Sequence, residues 1–108
     1  MLTKVDEIHG TPFYMSPERL QAEEVDHRSD IYAIGIIFFE MLMDQKPFIG
    51  DTLAEIISQH VQSPVPKLPA NLSRYQNLID LFLAKEPSQR FENTGQILEE
   101  VRKLIDKP

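Results

Sequence analysis

The chain has 108 residues, room for one domain with a modest core. Hydrophobic residues at 42% and charged residues at 26% are globular proportions that argue against disorder. A net charge of −6 argues against a nucleic-acid partner, the lack of cysteine excludes disulfides and thiolate metal sites, and His9, His27 and His60 fall in no metal-ligand spacing.

Residues 1–15 carry no helical period and include Gly10 and Pro12, so an extended loop is expected. No basic segment followed by an apolar run marks a signal peptide there. Ser16-Pro17-Glu18 reads as the start of a short helix that fades by Gln21 or Ala22. Ser16 can cap free N–H groups, Pro17 suits the first helical position, and Glu18 complements the positive end of the dipole. Residues 28–43, "RSDIYAIGIIFFEMLM", are apolar on every side. A buried strand competes for such a run, but its length and its Glu-Met-Leu-Met ending favour a helix at the centre of a core. Gly35 weakens that helix by about 1 kcal/mol relative to Ala, which implies another element packed closely there. Glu40 interrupts the apolar run. At about 1.5 Å per residue the run also falls short of a bilayer core of about 30 Å, so no membrane span is expected in this segment, and the chain is read as cytoplasmic.

Thr52 with Glu55 spells a capping box for a third helix, whose stripe is Leu53, Ile56, Ile57 and Val61. The prolines of 63–72, Pro64, Pro66 and Pro69, rule out a helix there. Ser73 with Gln76 spells a second box, followed by Tyr75, Leu78, Ile79 and Phe82 on one face, and Pro87 ends that segment. Asn93 with Gln96 resembles a third, and Ile97, Leu98, Val101, Leu104 and Ile105 form the last stripe. The expected class is all-α.

General catalytic motifs are missing. The four glycines are too far apart for a phosphate loop, and no nucleophile stands beside a base. Glu18, Asp30 and Arg90 border apolar segments, where a charge removed from water needs a partner, but surface exposure is the default for their types. Pro66-Lys67-Leu68-Pro69 fits a P-x-x-P ligand pattern, with a plain connecting loop as the simpler reading.

Three stretches, in this order, change that reading. "GTPFYMSPE", "SDIYAIGIIFFEML" and "KEPSQRF" together resemble the second half of the large lobe of eukaryotic-like protein kinases. The first is similar to the P+1 loop and Ala-Pro-Glu motif, with Ser16 in place of Ala. The second is similar to the Asp-x-x-x-x-Gly motif, here Asp30 and Gly35, and the third to the late Arg motif, with Phe91 where many members have Pro. The segment around "PFIGDTLAEIISQHVQSPVPKLP" resembles the bacterial serine/threonine members most.

The resemblance implies a C-terminal lobe portion over 16–108, with 1–15 belonging to the activation segment and P+1 loop. It implies substrate contact at Gly10, Thr11 and Tyr14, with Thr11 bonding the catalytic aspartate. It implies a buried Glu18–Arg90 ion pair, an Asp30 that braces the catalytic loop, and a phosphorylation site at Thr3. ATP and Mg are implied for a full-length parent, with a protein substrate. This chain lacks the glycine-rich loop, the strand lysine, His-Arg-Asp and Asp-Phe-Gly. No cofactor, metal or catalytic residue is therefore expected in it, and alone it should be inactive. "HRSD" at 27–30 follows the Pro-Glu motif and so is not the catalytic loop. The alternatives are a stand-alone helical binding module that docks through 52–62, or a pseudokinase remnant. With the missing N-lobe and catalytic loop absent, self-association is expected, exchange of residues 1–15 between copies being one route.

Overall fold

A computed structural model describes residues 11–106 of the chain. These residues form an all-α fold of five α-helices: α1 (Pro17–Leu20), α2 (His27–Met43), α3 (Leu53–Gln62), α4 (Gln76–Phe82) and α5 (Thr94–Asp106). Three 3-10 turns lie at Thr11–Tyr14, Ala70–Tyr75 and Pro87–Gln89.

Local chemistry sets most helix ends. Ser16 is extended, and its Oγ accepts from the Arg19 N–H, so α1 starts at Pro17. Asp26 caps α2 by accepting from the Arg28 N–H at 2.9 Å, which starts the helix at His27. Asp44 closes α2 in the left-handed region at φ 57°, a conformation that short polar side chains tolerate, and its N–H bonds the Glu40 carbonyl at 2.8 Å. Thr52 accepts from the Glu55 N–H at 3.2 Å, while the Glu55 carboxylate accepts from the Asp51 N–H at 3.4 Å and from the Thr52 hydroxyl at 3.5 Å. Asn93 accepts from Gln96 at 3.1 Å, and the Gln96 side chain accepts from Glu92 at 2.7 Å.

Several local expectations fail. The loop expected over 1–15 contains the 3-10 turn Thr11–Tyr14, closed by Met15 N–H to the Pro12 carbonyl at 3.3 Å. Ser73 does not cap: it sits inside the turn Ala70–Tyr75 and donates to the Ala70 carbonyl. Its expected partner Gln76 instead serves the proline segment, accepting from Leu68 N–H at 2.7 Å and donating to the Pro66 carbonyl at 3.2 Å. That turn also takes in 70–72, the end of the stretch read as non-helical. The helix before Pro87 stops at Phe82, and the stripe on α5 is only partly covered, since Leu98 and Ile105 are exposed.

Helix α2 is the centre. Its Ile31, Tyr32, Ile36 and Phe39 meet Leu78, Ile79 and Phe82 of α4, with Leu83, Phe48, Leu68 and Phe91 closing the cluster. Full burial of each such side chain is worth about 1.5–3 kcal/mol. Gly35 lets α2 and α4 touch: a Cβ there would lie 2.4 Å from the Phe82 Cβ. On the other side, α1 and the turn Thr11–Tyr14 pack on α3.

Candidate functional site

The segment 11–18 is fastened to the helices by a buried charge cluster. Glu18 and Arg90 are 6% and 5% exposed, so the surface default for their types fails. The Arg90 fork meets the Glu18 carboxylate with two bonds of 2.7 Å, Nη1 to Oε2 and Nη2 to Oε1. Its other donors go to backbone carbonyls: Nε to Ala84 at 2.8 Å, Nη1 to Arg28 at 3.0 Å and Nη2 to Lys85 at 3.2 Å. Those carbonyls belong to the chain around α4's end and the start of α2, so one guanidinium ties three segments. Planar bidentate pairing suits Arg and not Lys. Burial by itself would raise the Glu18 pKa, but the Arg90 and Ser29 hydrogen bonds override it and hold the carboxyl at about 2.

The Arg90 guanidinium also covers the Tyr32 ring at 4.8 Å. Tyr32 bonds His60 Nδ1 at 2.7 Å, and His60 on α3 is fully buried. Burial, then the nearby Lys85 charge, push the His60 pKa down to about 4, against a weaker opposing pull from the Phe13 backbone. A neutral ring with Nδ1 as acceptor satisfies Tyr32. His60 Nε2 has no well-formed hydrogen bond among the described residues. Burial likewise lowers Lys85 to about 8; its Nζ sits 4.0 Å over the Phe48 ring.

At the front of the segment, Tyr14 donates its hydroxyl to Glu40 at 2.6 Å, which raises the phenol pKa and lowers that of Glu40. Lys46 joins Glu40 at 3.3 Å and lies 5.2 Å over the Phe13 ring. The turn is thereby pinned to the C-terminal end of α2. Thr11 opens this turn. Thr3 and Gly10 lie outside the described residues.

Asp30 stands apart from the cluster. Its side chain is 77% exposed, and its one ionic contact among the described residues is Arg19 at 3.9 Å. The face of α2 that follows is bare as well: Ile34, Ile37 and Met41 are exposed and open onto a groove of about 450 Å³ shared with Tyr75, Val101 and Leu104. The structure thus joins Glu18 with Arg90, places Gly35 against α4, pins Tyr14 to α2, and leaves Asp30 in solvent.

Residue types gave no warning of Tyr32, His60 or Lys85. Ser29 and Glu40 stood out within the quoted stretch as polar residues on an apolar helix, but nothing local named their partners. The P-x-x-P pattern is closed to a ligand, because Leu68 is buried and Gln76 occupies the Pro66 carbonyl and Leu68 N–H. Helix α3 turns Ile56 and His60 inward and exposes Ala54, Glu55, Ser58 and Gln62, a polar surface. No group of three or more His, Asp or Glu gathers among the described residues to seat a metal ion. The chain also has no phosphate loop to hold a nucleotide.

Comparison with known proteins places this arrangement. Residues 2–101 match the protein kinase domain family. The chain is 34% identical over 97 residues to the serine/threonine-protein kinase PknA of Corynebacterium glutamicum, covering 89% of this chain and 21% of that protein. It is 35% identical over 100 residues to PknB of Mycolicibacterium smegmatis, covering 89% of this chain and 16% of that protein. PknA of Mycobacterium tuberculosis is 29% identical over 101 residues, covering 93% and 23%. The chain therefore spans about a fifth of the length of the curated relatives it matches. With its helical fold and its matched span, the chain belongs to the protein kinase domain family.

Proposed function

We propose that this chain is the substrate-facing helical part of a serine/threonine protein kinase whose complete domain transfers the γ-phosphoryl group of Mg-ATP to protein hydroxyls. The observation that carries this is the Glu18–Arg90 pair, which clamps the 11–18 segment onto α2 and α4 across 72 positions of sequence. A chain with no use for a fixed loop would have no need of such a clamp. In this reading Gly10, Thr11 and Tyr14 face the substrate, and Thr11 bonds the catalytic aspartate of the complete domain. Thr3 receives an activating phosphate, worth about −1.5 to −2 charge. Gly35 sets the α2–α4 contact.

Asp30 and the bare face of α2 support the same reading. An acid left in solvent beside exposed isoleucines is what remains when the surface meant to cover both is absent. Upstream parts of the same domain, an N-lobe and catalytic loop, would supply ATP, Mg and the acid–base chemistry. The chain alone is expected to be inactive, to self-associate through the bare face, and to work in the cytoplasm.

The test is to read the DNA upstream of the Met1 codon. In-frame sequence for a glycine-rich loop, His-Arg-Asp and Asp-Phe-Gly is expected, and the protein from that longer frame should phosphorylate a protein substrate where the chain alone does not. A stop codon immediately upstream would overturn the reading.

A further inference from the structure

We propose that Ser16 and Ser29 are positioning residues, whose paired hydroxyls lock the turn Thr11–Tyr14 to the buried Glu18–Arg90 pair. Ser16 is the residue that departs from the Ala-Pro-Glu pattern, and the ion pair alone gives it no task. Its Oγ lies 3.0 Å from the Ser29 Oγ, and the Ser29 Oγ lies 2.5 Å from Glu18 Oε2. Both serines are buried, at 1% and 3% exposure, so no bulk water can take either place.

The direction of this relay is fixed by proton counting. Ionised Glu18 only accepts, so Ser29 must donate to it. Ser29 then has no proton left and can only accept from Ser16. Ser16, having given its proton to Ser29, offers a lone pair to the Arg19 N–H at 3.3 Å, the cap of α1. One arrangement satisfies every group, running from the cap to the carboxylate. The last link is charge-assisted and correspondingly strong.

Backbone geometry carries the effect outward. Pro17 restricts Ser16 to extended conformations, and Ser16 has ψ 158°. Fixing the Ser16 side chain in a core therefore fixes the direction in which Met15 and the turn leave α1. Pro12, at the far side of the turn, is buried too. The importance of this lock for catalysis rests on the reading of 11–15 as substrate-facing.

A double-mutant cycle on the 108-residue chain tests the lock. The readout is hydrogen–deuterium exchange at the Met15 amide, whose bond to the Pro12 carbonyl touches neither hydroxyl. Ser16→Ala and Ser29→Ala are each expected to speed that exchange about tenfold, the loss of one hydrogen bond. The double variant should be no faster than the faster single, since either change breaks the same chain. Ser29→Ala should also move the Glu18 carboxyl titration upward from about 2 toward 4.5, read by carbon NMR. Additive effects on Met15, or a Met15 amide indifferent to Ser29→Ala, would overturn the proposal. Should Ser29→Ala not fold, Ser29→Cys keeps the volume with a weaker donor. It is expected to speed Met15 exchange while leaving α5 amides unchanged, and acceleration shared by α5 would overturn the lock. The cycle needs no phosphate transfer, so its failure leaves the kinase reading standing, and a stop codon upstream leaves the relay standing.

Discussion

Helix α2 has two faces of unlike completeness. Near its start, Ser29 and the Arg28 carbonyl join Glu18 and Arg90 in a cluster where all five guanidinium hydrogens find acceptors on the carboxylate and carbonyls. On its outer face, Asp30 is in water and Ile34, Ile37 and Met41 are bare. A buried charge left without a partner costs several kcal/mol. The contrast separates the charges this segment pairs within itself from the face it leaves in solvent.

The largest effect should come from breaking the paired side. Arg90→Met strands the Glu18 carboxylate and should cost about 3–5 kcal/mol in urea unfolding, with Glu18→Gln in the same chain recovering part of it. Asp30→Ala, a charge change on the same helix, should stay within about 0.5 kcal/mol. Equal losses at Glu18 and Asp30 would erase the distinction between the two faces.

Packing gives the next contrast. Gly35→Ala gains about 1 kcal/mol of helix propensity but forces a methyl to 2.4 Å from the Phe82 Cβ, so the net outcome is destabilisation by about 1–2 kcal/mol. Adding bulk on the bare face, as in Ile34→Phe, should cost far less.

Acid sharpens the comparison through two groups of the buried side, Glu18 and His60. Glu18 sits at about 2 against an ordinary 4.5, so the unfolded chain takes up its proton first as pH falls. Its stabilisation is whole above pH 4.5 and is lost on the way down to about 2. His60, at about 4 against 6.5, is neutral in the fold and adds a loss that begins as pH drops below 6.5 and runs to about 4. The urea midpoint should therefore fall from pH 6.5 downward. His60→Asn, which keeps an acceptor for Tyr32, should flatten the upper part of that decline and leave the part below pH 4. A midpoint flat from pH 6.5 to 4 in the native chain would show that His60 is not held neutral.

The smallest effect on stability and the clearest on association belongs to the bare side. Ile37→Lys should shift unfolding by less than about 0.5 kcal/mol while abolishing self-association in sedimentation. A native chain that stays monomeric at high concentration removes the association claim and leaves the bare face unexplained.

How much of this was legible depended on the distance over which each feature is decided. The caps of α1 and α5, at Ser16 and Asn93, are decided within a turn and were read from spelling alone. Ser73 with Gln76 has equally good spelling, yet the Gln76 amide is claimed by Pro66 and Leu68, which no local pattern registers. Gly35 announced a close approach because its helix cost demanded a reason. Glu18 and Arg90 lie 72 positions apart, and as residue types they pointed to the surface; only the order of three motifs suggested otherwise. Tyr32 with His60 and Tyr14 with Glu40 stayed invisible, since hydrogen bonding between distant helices leaves no period behind.

The Tyr14–Glu40 bond has an optical consequence. The chain has no tryptophan and three tyrosines, so its ultraviolet emission comes from phenols alone. Tyr14 donates to a carboxylate at 2.6 Å, an arrangement that drains an excited phenol, while Tyr32 and Tyr75 each lie under a guanidinium, that of Arg90 at 4.8 Å and that of Arg74 at 5.5 Å. Tyr14 alone of the three loses its quencher when the turn swings away from α2, so that motion announces itself as a rise in phenol emission.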